Sequence, residues 1–154
     1  MSGLSKIAGL PQMKLGWIIA DGPNHQLALD RLELIADTYL SVSAPIQFAL
    51  PKLLELSSSI RDQILARCRS NLAQLHRLTA DTPIHPLHVE GGWYATLQVP
   101  STRSEQQWTL DLLDQHNVLA QPGFFFDFES EAFLIVSLLT PPEIFTEGIT
   151  RLIS

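Results

Sequence analysis

The first part of the chain combines one short apolar run with a helical periodicity. Residues 15–20, LGWIIA, are apolar and end at the turn sequence DGP, which predicts a buried strand. From Asn24 onward, apolar residues recur every three or four positions with charged residues between them, which predicts an amphipathic helix. The apolar positions of that helix are Leu29, Leu32, Ile35, Ala36 and Tyr39.

A second, much longer helix is predicted over residues 45–78. The sequence SVSAP at residues 41–45 breaks the preceding helix, and Pro51 and the serines at 57–59 are the places where the long helix is expected to bend. A helix of this length spans a molecule instead of covering one face of it. Its second half has a regular apolar stripe, formed by Ile60, Ile64, Cys68, Leu72 and Leu75.

The second half of the chain predicts a smaller α+β unit. Residues 80–92 are rich in Pro, His and Gly and predict a domain boundary, and residues 93–99 alternate apolar and polar side chains, as in a half-buried strand. Ser104 and Gln107 have the spacing of a capping box at the start of a helix. The apolar face of that helix is predicted to consist of Trp108, Leu112 and Leu113.

The last segment predicts one more strand and one more helix. Residues 133–139 form an almost unbroken apolar run, typical of a buried strand. The sequence TPPE at residues 140–143 predicts a second capping box with proline at the first helical position. The closing helix is expected to bury Phe145, Ile149 and Leu152. The order of the elements predicts an α/β unit followed by a small α+β unit.

Composition narrows the class of protein. The chain has 154 residues, of which 45% are hydrophobic and 17% charged, which is enough for a core and too apolar for disorder. A net charge of −6 argues against a nucleic-acid partner. No segment has the roughly 18–20 apolar residues of a membrane span, and the N-terminal apolar run is too short for a secretory signal. With a single cysteine, Cys68, the chain is predicted to be cytoplasmic.

A lysine near the start of the chain carries the main chemical signal. Taken alone, such a lysine is ordinarily a solvated surface residue. However, Lys6 follows small residues, and a second cation, Lys14, stands eight positions later. An amine nucleophile on a tight loop can reach an aldehyde carbon and form a Schiff base, and a fixed cation nearby can neutralise a phosphate on the same cofactor.

Residues 2–16, SGLSKIAGLPQMKLG, resemble the cofactor-attachment site of fold-type I pyridoxal-phosphate enzymes, in particular the class I and II aminotransferases. That family has a small, an apolar and a small residue before its Schiff-base lysine, as in GLSK at residues 3–6, and an arginine eight positions later. The resemblance implies pyridoxal 5′-phosphate as cofactor, Lys6 as the catalytic lysine, and Ser5 and Lys14 as further cofactor-binding residues. Lys14 departs from the family's arginine and would hold a phosphate as a point charge, without a bidentate fork.

The resemblance extends over essentially the whole chain. The sequences EGGWY at residues 90–94, QPGF at 121–124 and EGITRL at 147–152 are similar to the family's small C-terminal domain. The implied fold class is α/β: the end of a fold-type I large domain, a long linking helix and a small α+β domain. The implied domains are residues 1–44 (end of the cofactor-binding domain), 45–80 (interdomain helix) and 81–154 (small domain).

Two candidate substrate contacts follow from the resemblance. Relatives that act on amino acids carry an arginine third in the strand at residues 133–137, where it clamps the substrate α-carboxylate, but this chain has Ile135. Isoleucine cannot pair with a carboxylate, so either another cation binds it or the substrate is not an ordinary α-amino acid. Trp93, Tyr94 and the phenylalanines at 124–126 belong to segments that edge the active site in relatives. We expect these rings in the core, except Tyr94, which we expect to contact substrate.

The resemblance implies an aminotransferase, which moves an amino group from a small-molecule amino donor to an oxo-acid acceptor and acts as a homodimer. The family's other cofactor-binding residues come from upstream of the lysine, whereas this chain starts five residues before it. We therefore expect a C-terminal fragment that is inactive alone. Two alternatives stay open: another reaction on the same fold, such as a lyase or decarboxylase, and a non-catalytic interaction module.

The histidines and the cysteine are assigned structural roles. His85 and His88 have a three-residue spacing but flank Pro86 in a predicted loop, with no cysteine nearby, so no metal site is predicted. Cys68 lies on the apolar stripe of the long helix and is expected to be a small core residue.

Overall fold

The computed structural model describes residues 1–39, 42–130 and 132–154. They divide into two compact units, Met1–Ile64 and Leu65–Ser154, with the division inside the longest helix. The three-part domain division stays a prediction. In chain order the elements are β1 (Ser2–Gly3), α1 (Leu4–Ile7), β2 (Gly16–Trp17), α2 (His25–Thr38), α3 (Ala44–Thr79), β3 (His85–Pro86), β4 (Tyr94–Gln98), α4 (Glu105–His116), β5 (Gln121–Pro122), β6 (Phe133–Ser137) and α5 (Pro142–Ile153).

The first unit is built around a short antiparallel pair, β1 and β2. Its core consists of four buried side chains, against which partly buried residues of α3 pack. These four residues come from α1 and from the loop between β1 and β2, so the core lies directly under the segment that carries the chemical signal. They are Leu4, Ala8, Leu10 and Leu15.

The strand predicted at residues 15–20 is shorter than expected. Only Gly16 and Trp17 pair as a strand, and Ile18 and Ile19 are exposed. An apolar run forms a buried strand only where neighbouring strands and helices cover it. Among the described residues β2 has one paired neighbour, β1, which is itself two residues long.

Helix α2 forms as predicted, although its apolar face is not buried. Asn24 is its N-cap residue, and none of its residues is buried. Leu29, Ile35 and Tyr39 are all exposed. The predicted break between α2 and α3 begins at Ser41, which lies outside the described residues. Helix α3 begins at Ala44 and continues through Pro51, close to the bounds predicted for the long helix.

The second unit contains a four-stranded antiparallel sheet with the order β3-β4-β6-β5. The alternation predicted for β4 is confirmed, since Ala95 and Leu97 are buried while Tyr94 and Gln98 are exposed. Ala95 pairs with Val136 and Leu97 with Leu134, so these buried residues share one face of the sheet.

Helices α4 and α5 complete the second unit. The capping box at Ser104 and Gln107 is confirmed, with both of its hydrogen bonds formed. The box predicted at TPPE is wrong: Pro141 is the N-cap residue, and the Thr140 hydroxyl donates to the Ser137 carbonyl instead. In α4 Leu112 is buried but Leu113 is exposed, contrary to the prediction. The buried face of α5 is confirmed, and consists of Phe145, Ile149 and Leu152.

Side chains of α3 hold the turn that connects β6 to α5. Asn71 is buried, and its Nδ2 donates to the carbonyl oxygens of Leu138 at 3.0 Å and Thr140 at 2.8 Å. Cys68, one turn earlier, is buried as predicted, and burial raises the pKa of its thiol despite the nearby positive charge of Arg67. Over the described part of the chain, no helix is both long and apolar enough to cross a membrane.

Candidate functional site

Lys6 is presented on a single helical turn above the core of the first unit. Helix α1 follows β1 directly. Its first residue, Leu4, and its C-cap residue, Ala8, are both fully buried. Residues four apart lie on the same side of a helix, so these two anchor one side of the turn. Lys6 lies midway between them in sequence, on the opposite side, and is exposed. The fold therefore directs the amine away from the core.

Two glycines bring the chain into close contact before this lysine. Gly3 of β1 and Gly16 of β2 are direct partners in the antiparallel pair. A Cβ atom on Gly3 would lie 2.9 Å from the Leu15 carbonyl oxygen, and one on Gly16 would lie 3.0 Å from the Ser2 carbonyl oxygen. These distances are shorter than Cβ contacts normally allow, so the glycine that opens the GLSK motif and its partner Gly16 both have a steric reason.

Backbone hydrogen bonds close the segment between the two lysines into a loop. The Leu4 amide donates to the Leu15 carbonyl at 3.0 Å, and the Leu10 amide donates to the Leu4 carbonyl at 3.1 Å. Lys14 adjoins the first of these bonds and Lys6 lies two residues from it. The structure thus brings the two predicted lysine sites onto one closed loop.

Lys14 and Gly9 shape this loop through unusual backbone conformations. Lys14 ends the 3₁₀ turn Pro11–Met13 in the left-handed region, with φ of 51°, and its side chain is exposed. Gly9 has φ of 65°, and a Cβ there would lie 2.5 Å from Cδ1 of Ile64. Both the positive φ and the Ile64 side chain, 55 residues away along the chain, favour glycine at this position. Ser5, the third predicted cofactor contact, is half-buried.

Tyr94 lies in the second unit beside a small open pocket. Its side chain is 51% exposed, and its direct partner in the sheet is Ser137. The pocket has a volume of about 360 Å³ and mixed polar lining. It is lined by His88, Val89, Glu90, Gly91, Tyr94 and Thr96. The exposure of Tyr94 agrees with the prediction that this ring does not belong to the core.

Ile135 occupies the middle of the central strand β6 and is only 5% exposed. Its direct partners are Thr96 of β4 and Gln121 of β5, which are polar but uncharged. Residues directly opposite each other, and those two positions along a strand, share one face of a sheet. The strand residues on this face, all of them described, include no Lys, Arg, Asp or Glu: His85, Tyr94, Thr96, Gln98, Gln121, Phe133, Ile135 and Ser137.

The three adjacent phenylalanines are not core residues, contrary to the prediction. Phe124, Phe125 and Phe126 are 49%, 68% and 44% exposed, and the first two rings stack edge to face with centroids 4.8 Å apart. The structure also separates them from Tyr94. Pro122, just before them, pairs with Leu134 near the beginning of β6, whereas Tyr94 pairs with the last residue of that strand.

The histidines of the Pro-rich segment form only a loose contact. Nε2 of His88 lies 3.8 Å from Oε1 of Glu90, with both side chains largely exposed. Within the described residues no three His, Cys, Asp or Glu side chains are grouped as a metal site would need.

The chain resembles known aminotransferases in sequence and in structure. The glutamate-pyruvate aminotransferase AlaA of Haemophilus influenzae is 27% identical over 166 residues, which cover 99% of this chain and 40% of AlaA. A PLP-dependent aminotransferase from Streptococcus suis matches with a TM-score of 0.80 and 22% identity, over 97% of this chain and 39% of that one. An aromatic aminotransferase from Pyrococcus horikoshii matches with a TM-score of 0.80 and 18% identity, over 97% and 40%.

These comparisons confirm the predicted fold class, a piece of the aminotransferase α/β fold. The chain spans about two fifths of the length of the relatives that it matches. The family model described as aminotransferase class I and II matches residues 1–152. Since this match leaves out only the last two residues, the chain belongs to the class I and II aminotransferase family.

Proposed function

We propose that this chain supplies the C-terminal part of a pyridoxal-phosphate-dependent aminotransferase, with Lys6 as the residue that bonds to the cofactor. The observation that carries the proposal is the loop closed by the Leu4–Leu15 hydrogen bond, which presents two exposed lysines above one small core. Membership of the aminotransferase family supports the same assignment.

The donor set of the loop fits pyridoxal 5′-phosphate. Lys6 has the primary amine that an aldehyde requires, and Lys14 and Ser5 offer a cation and a hydroxyl that suit a phosphate. When bound, the cofactor supplies an electron sink, which accepts the electron pair left when a bond to the substrate's α-carbon is broken. Lys14 keeps its charge but has no planar fork, so we expect it to hold the phosphate less rigidly than an arginine would.

The chain's own residues have separate roles in this proposal. Lys6 would accept and return at its Nζ the proton that moves during amino transfer. Tyr94 would contact substrate through its exposed ring and hydroxyl. Ile135 provides an apolar, uncharged position, so the carboxylate of the amino donor or the oxo-acid acceptor must find its cation elsewhere. A homodimer in the cytoplasm is the assembly and compartment that we propose for the complete enzyme.

A second candidate function is supported by Ile135. Because the strand residues of the sheet face around it include no lysine or arginine, a substrate whose carboxylate is removed, or one that lacks it, would suit that face as well. A lyase or decarboxylase of the same fold is therefore the alternative. Assays of the complete protein with a panel of amino donors separate the two: transfer that requires an oxo acid supports the aminotransferase, and product formation without an acceptor supports the lyase.

Chemical trapping tests the assignment of Lys6. The protein is purified from its native cells under mild conditions, so that any polypeptide that completes the fold is retained. It is then reduced with borohydride, and its peptides are weighed. The chain has only three lysines, Lys6, Lys14 and Lys52, which makes the map unambiguous. We expect a stoichiometric pyridoxyl group on Lys6 alone.

Lys52 provides the matched control for this experiment. It is an exposed lysine, paired with Glu55 at 2.7 Å and distant in sequence from the loop. The Lys52→Arg variant should keep the modification, and the Lys6→Arg variant should lose it. An unmodified Lys6 in the native protein, or equal modification of Lys6 and Lys52, would overturn the proposal.

A further inference from the structure

One acidic side chain of the second unit is almost fully buried, which is rare for an acidic residue. Glu105, the first residue of α4, is only 2% exposed. Burial of a carboxylate is costly unless hydrogen bonds compensate it. Because Glu105 stands at the start of a helix, the positive end of the helix dipole also favours its negative charge.

Two backbone amides hold the Glu105 carboxylate, one on each oxygen. Oε2 accepts from the amide of Phe124 at 2.8 Å, and Oε1 accepts from the amide of Phe133 at 2.7 Å. The first amide belongs to the 3₁₀ turn Gly123–Phe126, which follows β5, and the second opens strand β6. One side chain therefore connects two segments that are nine residues apart along the chain.

Gly123 makes room for this connection. A Cβ atom at Gly123 would lie 2.8 Å from Oε1 of Glu105 and 3.0 Å from Cβ of Phe133. Its backbone conformation is ordinary, so the requirement for glycine comes from the carboxylate beside it and not from φ. Glu105 and Gly123 are thus a matched pair.

Burial of the aromatic side chains does not explain how the turn is fixed. The three phenylalanines that follow Gly123 are 44–68% exposed, so they leave much of their apolar surface in water. A carboxylate accepts on both oxygens, whereas a glutamine amide accepts on one and donates from the other. The carboxyl group of Glu105 can therefore accept from both amides at once, and a glutamine in its place cannot.

We propose that Glu105 is a positioning residue, a latch that fixes the aromatic turn and the start of β6 together. Strand β6 carries Ile135 two residues after the latched amide and pairs with β4, which carries Tyr94, so the latch sets the placement of the strand that supports the proposed substrate contact. That consequence rests on the proposed function, whereas the latch itself does not.

Hydrogen exchange on the chain tests the latch directly. In Glu105→Gln we expect the amides of Phe124 and Phe133 to exchange about tenfold faster or more, as for the loss of a hydrogen bond to a charged group. Glu105→Asp is one methylene shorter and should release one of the two amides only. Gly123→Ala should act like Glu105→Gln, because its Cβ displaces the carboxylate.

Glu143→Gln is the matched control, since Glu143 is the first-turn acid of α5 but is exposed. It should leave both amides protected. Unchanged exchange at Phe124 and Phe133 in Glu105→Gln would overturn the proposal. Faster exchange spread evenly over β4, β6 and α4 in all the Glu105 variants would also overturn it, because the carboxylate would then be a general stabiliser.

The effect of Glu105 on substrate binding is tested separately, on protein purified from its native cells. Glu105→Gln should raise KM for the amino donor severalfold while the borohydride map of Lys6 stays unchanged. An unchanged KM would overturn the positioning role. If Lys6 is never modified, the proposed function fails, but the exchange result still decides whether the latch exists.

Discussion

At the scale of single residues, the candidate site depends on two glycines, which have no Cβ atom. The direct pairing of Gly3 with Gly16 lets two strands approach within a distance that no Cβ atom tolerates. That approach allows the Leu4 amide to bond to the Leu15 carbonyl and so shapes the turn under Lys6. The glycines act on the lysine through backbone geometry.

Alanine at Gly3 should destabilise the first unit by about 1–3 kcal/mol, because its Cβ would overlap the Leu15 carbonyl and the strands would have to separate. Urea unfolding with hydrogen exchange measures this change. Gly148 of α5 is the control, since a Cβ there would contact nothing within 4 Å. Gly148→Ala should stabilise the second unit by about 0.5–1 kcal/mol. Equal effects of the two substitutions would contradict the steric explanation.

Which residues could be foreseen depends on where their constraints lie. The exposure of Tyr94 and the Ser104 capping box follow from rules that act over a few neighbouring residues, and both agree with the structure. The burial of Glu105 and the exposure of the phenylalanines were not predicted, because each depends on segments that only the fold brings together. Residue type alone indicates the reverse, an exposed acid and buried rings.

At the scale of elements, α3 determines the position of the turn between β6 and α5. Asn71 donates two hydrogen bonds to that turn from a fully buried position. The apolar stripe of the long helix was visible in the sequence, but Asn71, which stands next to Leu72 of that stripe, gave no sign of its partners. They are carbonyl groups about 70 residues away along the chain.

Replacing Asn71 with Asp should destabilise the second unit by about 1–3 kcal/mol at neutral pH. The substitution removes both donors and places an acceptor-only carboxylate against two carbonyl oxygens. Thermal unfolding followed by circular dichroism provides the measurement. Gln106→Glu, the same amide-to-acid change at an exposed position of α4, should stay within about 0.5 kcal/mol of the parent protein. A loss as large in Gln106→Glu would indicate a general effect of added negative charge.

Helix bounds were predicted to within about a residue for α3, whereas the strand at residues 15–20 was predicted too long. The difference has a physical cause. Helical hydrogen bonds form within the segment itself, so local sequence is sufficient to set the ends of a helix. Strand hydrogen bonds need a partner, and only Gly16 and Trp17 have one among the described residues.

At the scale of the whole molecule, an amphipathic helix remains without buried residues. Leu29, Leu34 and Ile35 of α2 are exposed, as are Ile19 in the loop before it and Phe48 in α3. The chain covers about two fifths of the length of its relatives. Apolar surface of this extent favours association.

We expect the isolated chain to self-associate as its concentration rises. Sedimentation velocity over a hundredfold range of concentration measures this, and a monodisperse monomer throughout would contradict it. The double variant Leu34→Gln and Ile35→Gln should shift association to higher concentration at little cost in stability, because both side chains are already exposed. Leu113→Gln, an exposed position of α4, is the control and should leave association unchanged.

The Leu4–Leu15 hydrogen bond also bears on the order of events in folding. Its partners are only eleven positions apart, and loops of about that length close on the order of 10–100 ns. The core beneath the loop also includes contacts from α3. The first α3 residue that packs against this core is Ile46, which lies 31 positions beyond Leu15. Contacts at longer separation form more slowly. The loop that carries Lys6 should therefore open and close many times before α3 arrives, and it becomes persistent only when that helix packs against it.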